Sequence, residues 1–189
     1  MNPSEIIELL EAPESDPRPT VYDLLDRIES HELVDALRIA VHDKTKNALI
    51  DLLGDRAEQA ALPLLVASLN ADSSEVRAAA ADALAKIGDR TAGPDVAAQL
   101  STEADTGVQH MLLLAVGATG YTDGAEDVAK WLSHENKVAR GCAAWSLGAL
   151  QAAEYLPALE ELFAREERGY AFDRAREAIA AIKGQESAE

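Results

Sequence analysis

The residues of this chain with the shortest route to chemistry are two His-Glu dipeptides, His31-Glu32 and His134-Glu135. An imidazole beside a carboxylate can ligate a hard or borderline divalent metal. A shared site would need both dipeptides to converge, yet one falls at the start of a short helical segment and the other in a turn after Ser133. Capping and solvated roles are the expectation for both. The single cysteine, Cys142, excludes an internal disulfide framework and a cysteine-rich zinc site. It has no histidine near it in sequence, and Arg140 is its one close cation, so a small packing residue is expected rather than a nucleophile. His110 has no carboxylate or nucleophile one helical turn away. The sequence shows no phosphate-cradling glycine-rich loop, nucleophile elbow or clustered metal ligands. No catalytic residue, metal or cofactor is expected.

Charge narrows the partners. Seventeen Lys and Arg stand against 34 Asp and Glu, a net charge of -17. Such a field repels phosphate backbones and anionic bilayers, so neither nucleic acid nor membrane is an expected partner. The bland meaning of this acidity is solubility; the sharper one is a surface that steers a basic protein or peptide. No apolar run reaches the roughly 18 residues of a membrane span. The start, Met1-Asn2-Pro3-Ser4-Glu5, lacks a basic segment followed by an apolar one, and a cytoplasmic protein is expected.

Whatever these residues do, helices must position them. Hydrophobic residues make up 48% of the chain but aromatics only 4%, and the apolar mass is mostly Ala, Leu and Val, which suits thin, closely packed helices. A short amphipathic segment, Leu62–Leu69, is followed by a polar break at Asn70–Ser74 and a longer helix from Glu75 that closes at Gly88. This pattern returns every 31 to 32 residues. Leu69 is echoed by Leu100, Leu132 and Phe163; Leu65 by Val96, Val128 and Leu159; Leu84 by Val116, Leu147 and Ile179. Ala85, Gly117, Gly148 and Ala180 share one position, where a small side chain lets stacked helices approach. Pro63, Pro94 and Pro157 occupy the first turn of the shorter helix, where the missing N–H costs least.

These residues resemble the HEAT-repeat family, in the short form found in phycobilisome-lyase-like proteins, most closely at Asp72-Ser73-Ser74-Glu75-Val76-Arg77 and Ile87-Gly88-Asp89. The resemblance covers about residues 31 to 184. It implies an all-α, right-handed α-α superhelix of about five helix pairs, with N-terminal capping helices. It also implies a stacking ladder between the turn Asp and the early Arg. Only Asp72 and Arg77 keep that pair cleanly; Gln109 replaces the Arg in the next copy, Arg140 retains it, and Phe172 replaces it in the last. Deoxyhypusine hydroxylase is also HEAT-like and holds iron through several His-Glu motifs, but two distant dipeptides do not meet that pattern. Residues 1–30 read as a helical cap and Pro-rich linker, with helices over 4–11 and 20–28, or as a free arm over 1–19. Residues 31–184 form the array and 185–189 a disordered tail.

In the HEAT pattern the longer helix lines the concave side. Removing its core stripe leaves Ala78, Ala79, Asp82 and Lys86 facing out. The counterparts are His110, Met111, Leu114 and Ala118, then Gly141, Cys142, Trp145 and Ala149, then Asp173, Arg174, Glu177 and Ala181. In the first pair they are Lys44, Thr45, Ala48 and Leu52. Met111, Leu114 and Trp145 then form an apolar patch with a charged rim, the composition of an interaction hot spot; the competing reading packs them between helices. The expected partner-binding set is His110, Met111, Leu114, Cys142, Trp145, Asp82 and Lys86. The expected function is a non-catalytic scaffold or adaptor that binds a protein or peptide, as a monomer or weak homo-oligomer. The alternative is an accessory subunit of a bilin-lyase-like or other enzyme complex.

Overall fold

A computed structural model describes residues 1–12 and 27–186; the expected helix over 20–28 falls largely outside them. Eleven α-helices and no strands occur among the described residues. After α1 (Pro3–Glu11) come five antiparallel pairs: α2 (Ser30–Ile39) with α3 (Asp43–Asp55), α4 (Leu62–Ser68) with α5 (Ser74–Ile87), α6 (Gly93–Thr102) with α7 (Thr106–Ala118), α8 (Ala125–Lys130) with α9 (Lys137–Ala149), and α10 (Leu156–Arg165) with α11 (Tyr170–Glu186). Among the described residues no helix is long and apolar enough to cross a membrane.

Local chemistry sets the boundaries. Ser73 caps α5 by accepting from the Val76 N–H at 3.4 Å. Asp105 caps α7 through Gly107 and Val108, and Asn136 caps α9 through Val138, each satisfying orphan donors of a first turn. Gly88 ends α5 at φ +66, a left-handed conformation that favours glycine. The prolines lie in the first turns of α4, α6 and α10.

The longer helices α3, α5, α7, α9 and α11 stack side by side into one layer. A Cβ on Gly54 would lie 2.8 Å from Ala83, one on Gly117 2.7 Å from Ser146, and one on Gly148 2.8 Å from Ala178. No real side chain fits there, so each glycine brings two backbones together. The seam between α7 and α9 is further tied by the buried Ser146 hydroxyl, which donates to the Leu113 carbonyl at 2.5 Å. The shorter helices meet their neighbours chiefly through the one-turn 3-10 segments that flank them. The longer helices thus form a tightly packed inner layer and the shorter helices a looser outer one. The core runs unbroken between the layers, from Leu33, Leu49 and Leu53 through Leu84 and Leu112 to Leu147 and Leu159.

The turn ladder is built differently from the expected Asp–Arg pair. Arg77 donates through Nη1 to the carbonyls of Ala71 and Asp72, both at 2.9 Å. Its remaining fork grips Glu103 of the next pair, at 2.8 and 2.9 Å. Arg140 repeats the arrangement with the carbonyls of His134 and Glu135 and, 26 residues on, with Glu166. Asp72 therefore contributes its backbone, and the acidic partner sits at the C-terminus of the following short helix. Gln109 keeps only the carbonyl bond, to Glu103 at 2.8 Å. In the last pair Phe172 packs against Phe163 with ring centroids 4.5 Å apart.

At the N-terminus, Ile6 of α1 is fully buried and the Met1 amine pairs with Glu32, so residues 1–12 dock on the first pair. The Thr45 hydroxyl donates to Glu11 at 2.9 Å and is buried, contrary to its expected outward position. The register of that pair lies three residues later than expected: Asn47, Ala48, Asp51 and Asp55 are the true counterparts of Ala78, Ala79, Asp82 and Lys86, because Gly54 takes the close-approach position of Ala85. At the other end α11 runs on through Glu186, beyond the start expected for a tail.

Candidate functional site: a groove across the longer helices

The inner layer carries a groove of about 430 Å³, within the size range of sites that hold a small ligand or a few side chains. Its floor is apolar: Met111, Leu114 and Ala118 from α7, Trp145 from α9 and Ala85 from α5. Asp82 and Lys86 border it on the α5 side, Tyr170 and Arg174 on the α11 side. Met111, Leu114 and Trp145 are each half-buried, packed at the base and open above. Five of the seven residues singled out from sequence thus share one site: Asp82, Lys86, Met111, Leu114 and Trp145.

The other two are elsewhere. Cys142, expected on the open face, is 2% exposed because Tyr170 covers it, with the Tyr170 hydroxyl 3.7 Å from the Cys142 sulfur. Burial pushes the thiol pKa up, away from nucleophilic thiolate character. His110 is half-buried on α7 and does not line the groove. Burial, and secondarily repulsion from His134, lower its pKa. Both His-Glu dipeptides have local structural roles. Glu32 closes a capping box on the Glu29 N–H at 3.1 Å. His134 accepts from the Asn136 N–H at 3.1 Å and stacks on Trp131. Among the described residues no three His, Cys, Asp or Glu side chains gather as a metal site.

Tyr170 is the groove residue that sequence reasoning missed. Its ring lies over Gly141, where an added Cβ would fall 2.4 Å from it, and Arg174 stands 5.4 Å from the ring centroid. An aromatic opening a long helix, opposite a glycine in the preceding one, was the available signal. Burial and the Cys142 contact raise the Tyr170 pKa to about 12, so it remains a neutral phenol at physiological pH.

The α5 side is electrostatically crowded. The Lys86 ammonium sits 2.6 Å from Asp55 and 2.8 Å from Asp82, and both carboxylates raise its pKa. Asp51 is a turn before Asp55 on α3. Partial burial is the largest cause of its raised pKa; Lys86 opposes the rise, and Asp82 and Asp55 add to it. Among the described residues Lys86 thus pairs with two carboxylates and acts at longer range on a third, Asp51. At the opposite border Arg174 donates to Glu177 at 2.8 Å, while its Nε is buried without a hydrogen-bond partner.

Comparison with known proteins agrees with this architecture. HEAT repeats match twice, over residues 32–109 and 93–180. The chain belongs to the HEAT-repeat family. Among solved structures, this HEAT chain is similar to the CpcE–CpcF complex of phycocyanin lyase from Nostoc sp. PCC7120, with a TM-score of 0.66, 21% identity, 96% of this chain covered and 76% of that one. It is similar to an engineered protein, with a TM-score of 0.68, 19% identity and coverage of 96% and 89%. It is also similar to a designed armadillo repeat protein in complex with the peptide (KR)4, with a TM-score of 0.65, 16% identity and coverage of 94% and 98%. At these identities the likeness is one of fold. No protein of curated function matches the chain.

Proposed function

We propose that this HEAT array is a non-catalytic binding module that holds a segment of another protein, or a peptide, in the groove across its longer helices. The observation that carries this reading is the open placement of Met111, Leu114 and Trp145 on a continuous floor, bordered by charged side chains. Large, partly desolvated aromatic and thioether side chains supply most of the affinity in protein interfaces, and a polar border excludes water around them. A preformed groove on stacked helices loses little conformational entropy on binding. The peptide held by the designed armadillo neighbour is in keeping with this use of the fold. The strong net negative charge favours a basic partner. A cytoplasmic, monomeric or weakly self-associating adaptor is the form that fits.

The second reading, an accessory subunit of a bilin-lyase-like or other enzyme complex, is favoured by the similarity to a lyase complex. It shares the requirement to hold a protein partner. Partners recovered with the purified chain are to be re-measured by calorimetry against wild type and Trp145→Ala. The groove reading expects at least a tenfold weaker Kd for the variant at unchanged helical circular dichroism, and equal affinity would refute it. Absorbance titration with a bilin separates the second reading: a saturable red-shifted band supports it, and an unchanged spectrum counts against it.

A further inference from the structure

Four side chains at one register position cross the inner layer in order: Asp51 on α3, Asp82 on α5, Leu114 on α7 and Trp145 on α9, each 31 or 32 residues after the last. A chain laid across the helices meets carboxylates first and the apolar floor next. Among the described residues these carboxylates are under-compensated: Lys86 is shared between Asp55 and Asp82, and Asp51 lies one turn before Asp55 on the same helix. The opposite border offers an acidic group less, since Arg174 is held by Glu177, faces the Tyr170 ring, and has its one unpartnered nitrogen, Nε, buried.

We propose that the groove recognises a two-part element on a partner protein: an aliphatic or aromatic anchor seated on Met111, Leu114 and Trp145, and an arginine or lysine reaching the carboxylates of Asp51, Asp55 and Asp82. This deepens the binding reading above and rests on it. Adjacent helices lie about 8–10 Å apart, and an extended chain advances roughly 3.3 Å per residue. The step from Leu114 to Asp82 therefore spans about three residues, so the basic residue belongs two to four positions from the anchor. The charge complementarity selects against acidic segments and gives binding a salt dependence that the apolar floor alone would lack. An acidic partner or a second copy of this acidic chain places its charges against the wrong end.

The test is selection from a random twelve-residue peptide display library on the full chain, followed by fluorescence anisotropy of the selected peptides. The expected peptides carry Leu, Met or an aromatic with Arg or Lys two to four positions away. Replacing that basic residue by Glu weakens binding at least tenfold, and in the doubly substituted Asp51→Asn, Asp82→Asn chain the penalty falls below threefold. Trp145→Ala weakens the Arg and Glu peptides alike. Peptides that need Trp145 but show no charge preference overturn the two-part element and leave the groove reading standing. Peptides indifferent to Trp145→Ala, or no enrichment at all, overturn both. Thermal melts of each variant confirm that the fold is retained.

Discussion

Glu103 accepts more hydrogen bonds than any other side chain among the described residues. It receives both arms of the Arg77 fork, the Gln99 amide and the N–H groups of Ala104 and Asp105, and its side chain is 2% exposed. The Arg77 hydrogen bonds are the chief cause of a pKa lowered from 4.5 to about 2. A carboxyl depressed on folding stabilises the protein above its unfolded pKa and loses that contribution as pH falls through the folded one. Glu103→Gln is therefore expected to cost about 2 kcal/mol at pH 7, or roughly 4–8 °C in Tm for a chain of this size. The gap to wild type should close between pH 4.5 and pH 2. A gap that is constant over that window, followed by differential scanning calorimetry, would assign the role to shape rather than charge.

The helices differ in how firmly they are joined. Arg77 clamps the second pair to the third and Arg140 the fourth to the fifth, each to a glutamate 26 residues on. Between them Gln109 replaces the arginine and His134 replaces the glutamate, its ring nitrogen accepting from the Asn136 N–H as Glu103 accepts from Asp105, so the middle seam, on which the groove sits, lacks its ionic clamp. Gln109→Arg together with His134→Glu is expected to complete it and raise stability by about 1 kcal/mol, seen as a higher urea midpoint and slower amide exchange in α7 and α9. Unchanged exchange across that seam would show that the clamp does not hold adjacent pairs together. The same seam depends on Gly117, whose Cβ would lie 2.7 Å from the Ser146 backbone. Gly117→Ala must push α7 and α9 apart, an overpacking cost of about 1–3 kcal/mol, whereas Gly184→Ala, which meets nothing within 4 Å, should be near neutral in the same urea titration.

Across the molecule, 34 acidic residues against 17 basic ones place like charges close together on a narrow stack. Self-repulsion of that kind destabilises a compact state and is screened by salt. Raising sodium chloride from low to about 0.5 M, where the Debye length falls to a few ångströms, should raise the Tm of the free chain and weaken capture of a cationic peptide. Opposite signs for the two effects, read by calorimetry and anisotropy in the same buffers, distinguish a global charge effect from a local one. A Tm that falls with salt would mean that ion pairs such as Arg77–Glu103 outweigh the repulsion.

The repeat, its period, its caps and its small crossing residues were legible in the chain because they are local or periodic: Ser73, Gly88, Pro63 and the series Leu84, Val116, Leu147 and Ile179 each state their role within a helical turn or by recurrence. Met111, Leu114 and Trp145 could be placed off the core stripe of their helices, but whether they were packed or open was not legible; the structure leaves them half-buried along one groove. What needed the tertiary structure was whatever depends on the neighbouring pair. The register of the first pair turned on Gly54 meeting Ala83. Cys142 was covered by a tyrosine 28 residues away, and the acidic partner of Arg77 lay in the next repeat rather than in its own turn. Sequence periodicity specifies which face of a helix turns outward; only the packed stack decides what lies over that face, because the distance between successive helices and the reach of long side chains are set by contacts remote in the chain.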